Sequence, residues 1–130
     1  MSNQMRLLIV EDSQARIDWF INEFREHSLT IVKTAKEAIE LVTKYKFDVI
    51  FLDHDLEDVH YKSLLDYGVA CKEGTGYEVA KHIKNSINDA VPVIVHSMNY
   101  AGTENIKSVL ANAIHIPFGM FDKSIIIKKK

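Results

Sequence analysis

Val49-Ile50-Phe51-Leu52 is an unbroken apolar run that ends abruptly in Asp53-His54-Asp55. Apolar residues without alternation suit a strand covered on both faces, and strands of that kind belong to parallel sheets. Parallel strands cannot be joined by tight turns, so the chain must supply crossover segments, usually helices, on either side. In open α/β sheets, ligands bind in the crevice beyond the carboxyl ends of the strands. Two carboxylates and an imidazole at such an end therefore stand where chemistry can be done. The plainer alternative is a solvated strand terminus with turn-forming aspartates.

The rest of the chain supplies the matching pieces. Leu7-Leu8-Ile9-Val10 reads as a first strand running into Glu11-Asp12. Ser13 offers an N-cap, followed at helical spacing by Ile17, Phe20, Ile21 and Phe24. Ile31-Val32 makes a brief second strand, and Thr34 with Glu37 forms a capping box for a helix presenting Ala35, Ala38, Ile39 and Val42. A long loop runs from about His54 to Gly74 and closes with Gly74-Thr75-Gly76. The third helix then carries Val79, Ala80, Ile83 and Ile87 at helical spacing. Pro92-Val93-Ile94-Val95 is a fourth strand, residues 103–111 a fourth helix with Ile106, Val109 and Leu110 inward, and Ala113-Ile114-His115-Ile116 a fifth strand. This repetition predicts a doubly wound, five-stranded parallel sheet of order 2-1-3-4-5 with right-handed crossovers. Glu11-Asp12, Asp53 and His96-Ser97 would then converge beside the switch point between strands one and three.

Composition narrows the setting. A chain of 130 residues suits a single domain, with a core over about 5–118 and a C-terminal extension over 119–130. A net charge of -2 with 26% charged residues speaks against bulk nucleic-acid binding, and Lys128-Lys129-Lys130 reads as a solubilising tail. The lone Cys71 suits a reducing compartment, no signal peptide is visible, and no apolar run reaches the eighteen or so residues of a membrane span. The expectation is a cytoplasmic protein without membrane contact; oligomeric state is not legible.

Glu11, Asp12 and Asp53 would repel one another unless a hard divalent cation sat among them, magnesium first and manganese next. At these residues the chain resembles the receiver domains of bacterial response regulators. Glu11-Asp12, Asp53, Gly76 opening helix three and the strand ending in Ser97 carry the likeness. In that family the acidic pair and the strand-end aspartate hold magnesium, and the aspartate accepts a phosphoryl group. Three features differ: Ile116 stands before Pro117 where receivers carry a lysine, the loop after Asp53 is much longer than a typical receiver's, and only fourteen residues follow Ile116, so the fifth helix is expected to be reduced or absent. A closer resemblance joins Leu52-Asp53-His54-Asp55-Leu56, Gly74-Thr75-Gly76-Tyr77, His96-Ser97-Met98-Asn99 and Ile116-Pro117-Phe118. Together these are similar to the receiver-derived group called cyclic-phosphate-processing receiver domains, over nearly the whole chain from Arg6 to Phe118.

That resemblance implies a metal-assisted phosphoesterase opening a cyclic phosphate, either a 2′,3′-cyclic RNA end or a small cyclic nucleotide. Such a reaction needs a nucleophile, charge stabilisation on the phosphoryl oxygens and an acid for the leaving alkoxide. A metal at Glu11, Asp12 and Asp53 would supply the Lewis acid. His54 and His96 are candidates for the base and acid, the roles imidazole most often takes in catalysis. Ser97 and Asn99 would donate to the phosphate, and Asp55 would orient a histidine or join the metal shell. His96 has a plainer reading as a histidine capping a buried strand end. His27, His60, His82 and His115 lack acidic company at this site, and Trp19 is expected to pack against a neighbouring helix or loop. Tyr61 and Tyr67 fall in the long loop and read as parts of a lid. Two other functions use the same pocket: a non-catalytic module binding a cyclic or phosphorylated nucleotide, and a receiver signalling through phosphorylation of Asp53.

Overall fold

The apolar runs become strands and the periodic segments become helices, in strict alternation. The computed structural model describes residues 4–54 and 76–126. Strands β1 (Arg6–Val10), β2 (Ser28–Val32), β3 (Val49–Leu52), β4 (Val93–Val95) and β5 (Ala113–His115) form one sheet of order β2-β1-β3-β4-β5. Every neighbouring pair is parallel. Helices α1 (Gln14–Glu23), α2 (Ala35–Lys44), α3 (Gly76–Lys84) and α4 (Tyr100–Val109) supply the crossovers. Beyond β5 the described chain holds only a 3₁₀ turn, Lys123–Ile126, in place of a fifth helix.

The pleat of the sheet divides the core. Leu8, Val10, Ile50, Leu52, Val93 and Val95 face α2, α3 and α4. Leu7, Ile9, Val49, Phe51 and Ile94 face Phe20 and Phe24 at the end of α1 and its C-cap. In place of a fifth helix, Phe118, Phe121 and Ile125 of the C-terminal segment pack on this second face. Trp19 is held there edge-on by Phe118 at 5.1 Å and by Phe121 at 5.6 Å between ring centroids.

The caps follow their sequence signals. Ser13 accepts from the Arg16 amide at 3.5 Å and Thr34 from the Glu37 amide at 3.2 Å, each in extended backbone at an N-cap. Glu37 closes the second half of its box one residue early, accepting from the Lys33 amide at 3.2 Å.

Several boundaries depart from expectation. Strand β2 begins at Ser28 rather than Ile31, because pairing with β1 extends it through residues whose own strand signal is weak. Helix α4 begins at Tyr100 rather than Thr103, since Asn99 caps it. Ile21 and Ile87, which continue the helical spacing of the apolar residues, are 46% and 57% exposed. The first points off the buried stripe of α1, and the second lies beyond the end of α3. Asp55, His60, Tyr61, Tyr67, Cys71, Gly74 and Thr75 lie outside the described residues.

Candidate functional site

Strand register assembles the site. Val10 pairs with Leu52, and Leu52 with Val95, so these three residues form one row across the sheet. One step further along the chain gives the row Glu11, Asp53 and His96. The ladder continues through them: the Asp53 amide donates to the Val10 carbonyl at 3.2 Å and the His96 amide to the Leu52 carbonyl at 3.1 Å. Side chains alternate along a strand, so this row shares the face of Ile9, Phe51 and Ile94 two residues earlier. Two carboxylates and an imidazole thus end up side by side, with ligating atoms all within 4.8 Å of one another.

All three are buried: Glu11 is 1% exposed, Asp53 6% and His96 0%. His96 Nε2 lies 2.7 Å from Glu11 Oε1, and its ring meets Phe20 edge-on at 5.3 Å. Burial pushes the Glu11 carboxyl up. The His96 hydrogen bond and charge, the Ser13 amide and the Arg16 guanidinium together outweigh that and hold it below the usual carboxylate range. His96 Nδ1 is buried without a hydrogen-bond partner. This leaves Nε2 as the ring atom that meets the carboxylate, and Nε2–H as the natural donor to it.

A cleft of about 290 Å³ opens over this row, lined by Glu11, Asp12, Ser13, Arg16, Asp53, Ser97 and Met98. That volume is at the small end for ligand sites and suits a phosphoryl group with its sugar better than a polymer. Ser97 Oγ accepts from the Asn99 amide at 2.9 Å, so the hydroxyl keeps its own proton to donate. A larger groove of about 480 Å³ runs along the C-terminal segment, lined by Ile116, Phe121, Ile125 and others, away from the three carboxylates.

The structure does not bring His54 and His96 together. Whereas the His96 ring meets Phe20 of α1, His54 lies two residues past the end of β3 with its ring on α4. Its ring sits against the first turn of α4 so closely that a Cβ on Gly102 would lie 2.4 Å from His54 Cγ. Asn99 Nδ2 approaches His54 Nδ1 at 3.4 Å, while Asn99 Oδ1 accepts from the Gly102 amide at 2.8 Å. Of the two histidines expected to act as base and acid, His54 therefore lies against α4, while His96 lies against Phe20 and Glu11. Asn99 is drawn into capping α4, and Asp55 lies outside the described residues. Gly76 holds the other side of this corner, where a Cβ would fall 2.2 Å from the Asp53 carbonyl oxygen. That close approach admits only glycine.

Two features of the site were not foreseen from sequence. The pairing of His96 with Glu11 could not be, because it needs the register of β4 against β1 through β3. Arg16 did carry a signal, since helical side chains lean toward the helix N-terminus and Arg16 stands in the first turn after the Ser13 cap.

A family model described as the cyclic-phosphate processing receiver domain matches residues 6–112. The chain belongs to that family. Among solved structures it is similar to the receiver domain of a sensor histidine kinase from Pseudomonas aeruginosa, described with a magnesium ion coordinated in the active-site cleft. That likeness has a TM-score of 0.70 at 19% identity and covers 91% of this chain and 88% of that one. A CheY-like response regulator receiver domain from Methanospirillum hungatei matches with a TM-score of 0.70 at 18% identity, over 95% and 89% of the two chains. A response regulator solved in its manganese-bound form matches with a TM-score of 0.65 at 19% identity, over 87% and 80%. At these identities the structural likeness establishes the receiver fold. No curated protein matches the chain. Among the described residues, no helix is long and apolar enough to cross a membrane.

Proposed function

We propose that this domain is a metal-assisted phosphoesterase that opens a cyclic phosphate. The observation that carries this reading is the row Glu11, Asp53 and His96 beneath the cleft, in a chain of this family. The donor set fits a hard divalent cation: the Glu11 and Asp53 carboxylates, the first of them held ionised, lie within reach of one another, with the His96 ring beside them donating to Glu11. Carboxylate oxygens favour magnesium, and manganese accepts the same ligands. Asp12, also on the cleft wall, would contribute through water.

When bound, the cation supplies Lewis-acid charge neutralisation on the phosphoryl oxygens. The chain's own residues do the rest. His96 holds Glu11 in place from behind, and Ser97 donates its hydroxyl proton to a phosphoryl oxygen. Asp12 is less buried than Glu11 or Asp53 and so is the carboxylate best placed to take the proton of an attacking water. The water oxygen bonds to phosphorus, one ring P–O bond breaks, and the departing alkoxide takes a proton from solvent through the open cleft. The product is a phosphomonoester. On this reading His54 works through α4, fixing the Asn99 cap and the loop that carries Ser97.

The test is incubation with 2′,3′-cyclic mononucleotides and with cyclic dinucleotides, in magnesium, in manganese and in chelator, with products separated by chromatography. Metal-dependent ring opening is expected, and Asp53→Asn should abolish it while weakening manganese binding by calorimetry. Tight binding of a cyclic nucleotide without turnover would replace the enzyme by a binding module. The receiver fold also favours a second reading, phosphoryl transfer to Asp53; a covalent mass increase with acetyl phosphate, lost in Asp53→Asn, would select it.

A further inference from the structure

We propose that Arg16 is the phosphate-binding residue of the cleft: a guanidinium fork that grips two phosphoryl oxygens of the substrate. The inference rests on the phosphoesterase reading and names the part of the site that recognises the anion.

A phosphoryl group entering this cleft meets Glu11, Asp12 and Asp53. Three carboxylates repel it, and one divalent cation cannot offset them all. Among the described residues that line the cleft, Arg16 brings the positive side chain. Its setting suits a ligand better than a structural ion pair. Nη1 stands 3.7 Å from Glu11 Oε1, beyond hydrogen-bond range, and that oxygen is already engaged by His96 at 2.7 Å. No guanidinium N–H makes a hydrogen bond to another described residue. The guanidinium carbon instead lies 4.9 Å over the centre of the Phe118 ring, which orients the planar group while leaving its donors unspent. The side chain is 30% exposed, so solvent now satisfies the donors that a ligand would take over.

The two anchors come from different places. Glu11 belongs to the metal row, whereas Phe118 belongs to the segment leaving β5, its amide bonded to the His96 carbonyl at 3.0 Å. Arg16 therefore bridges the floor of the cleft and the C-terminal segment. A planar fork set this way offers two parallel N–H donors, the geometry that matches two oxygens of one phosphoryl group. Lysine would keep the charge and lose both the fork and the stacking.

Metal and phosphate should respond to Arg16 in opposite directions, which separates this inference from the reading it rests on. The protein and its Arg16→Gln and Arg16→Lys variants would be titrated calorimetrically with manganese. They would then be titrated with inorganic phosphate and with adenosine 2′,3′-cyclic monophosphate, in manganese and again in chelator at low salt. In Arg16→Gln, manganese affinity should hold or rise, because a cation beside the ligand carboxylates is gone. Affinity for both phosphates should fall by about tenfold or more, the loss expected of charge-assisted hydrogen bonds. Arg16→Lys should fall between the two. Loss of phosphate affinity in the chelator arm, with no manganese bound by any of the proteins, would sustain Arg16 and remove the metal reading. Equal phosphate affinity of wild type and Arg16→Gln in both arms would overturn the proposal, as would full recovery by Arg16→Lys, which needs no fork.

Discussion

At the residue scale, Glu11 is the most consequential side chain in the domain. It is almost wholly buried, yet its carboxyl is held below the ordinary value of 4.5, because His96, the Ser13 amide and Arg16 outweigh the burial that pushes it up. A group that binds its proton less tightly when folded stabilises the fold above its unfolded pKa. That contribution is lost as pH falls through the folded value. In chelator-treated protein, stability should therefore decline as pH drops through and below about 4.5, the range in which Glu11 protonates on unfolding. Glu11→Gln should be less stable at neutral pH and flatter over that acid range. Denaturant midpoints measured from neutral pH downward would check this; parallel curves for the two proteins would place the acid sensitivity elsewhere.

At the scale of elements, the crossovers are tied together by side chains that the hydrophobic pattern does not mark. Asn88 lies in the turn between α3 and β4 and is 0% exposed. Its Oδ1 accepts from the Phe47 amide at 2.8 Å, while Nδ2 donates to the Val42 and Tyr45 carbonyls, each at 2.8 Å. One amide thus satisfies the C-terminal end of α2 and the entry to β3, backbone groups that would otherwise be buried without partners. Asn88→Ala removes all three bonds and supplies nothing in return. It should destabilise the domain by about 3 kcal/mol, measured by urea unfolding. A change under about 0.5 kcal/mol would mean that water replaces the amide. Asn99 works in the same manner at α4, and in each case a single polar side chain decides where an element begins or ends.

For the whole molecule, the absence of a fifth helix from the described chain is offset by aromatic packing. Phe121 stacks on Phe51 at 5.6 Å and 23° and touches Phe20 at 6.2 Å and Trp19 at 5.6 Å. Phe118 lies on the same cluster and carries Arg16 on its outer side. The C-terminal segment therefore closes one face of the sheet and, through Phe118, seats Arg16 on the wall of the functional cleft. Trp19, the chain's single tryptophan, reports on this closure. Phe121→Ala should shift Trp19 emission to the red and lower stability by about 2 kcal/mol, less than a fully buried ring would cost because Phe121 is half-buried. Unchanged emission with normal stability would show that the segment does not pack on Trp19 in solution.

The sheet, its order and the gathering of Glu11, Asp12, Asp53 and Ser97 at one edge were legible in the sequence. Each follows from local signals: apolar runs of strand length, capping residues, and the rule that successive parallel strands end on the same side. What local signals cannot carry is register and facing. That Glu11, Asp53 and His96 share a row depends on how β1, β3 and β4 slide against one another, which is set by packing between residues far apart in the chain. His54, next to Asp53 in sequence, instead packs its ring against Gly102 of α4. The seating of Arg16 between Glu11 and Phe118 needs the C-terminal segment to fold back over α1, a contact across about a hundred residues that no periodicity encodes. Sequence alone thus determined which chemical groups reach the edge of the sheet. Tertiary structure decided which of them meet, because side-chain direction alternates with each residue and a shift of one position changes every neighbour.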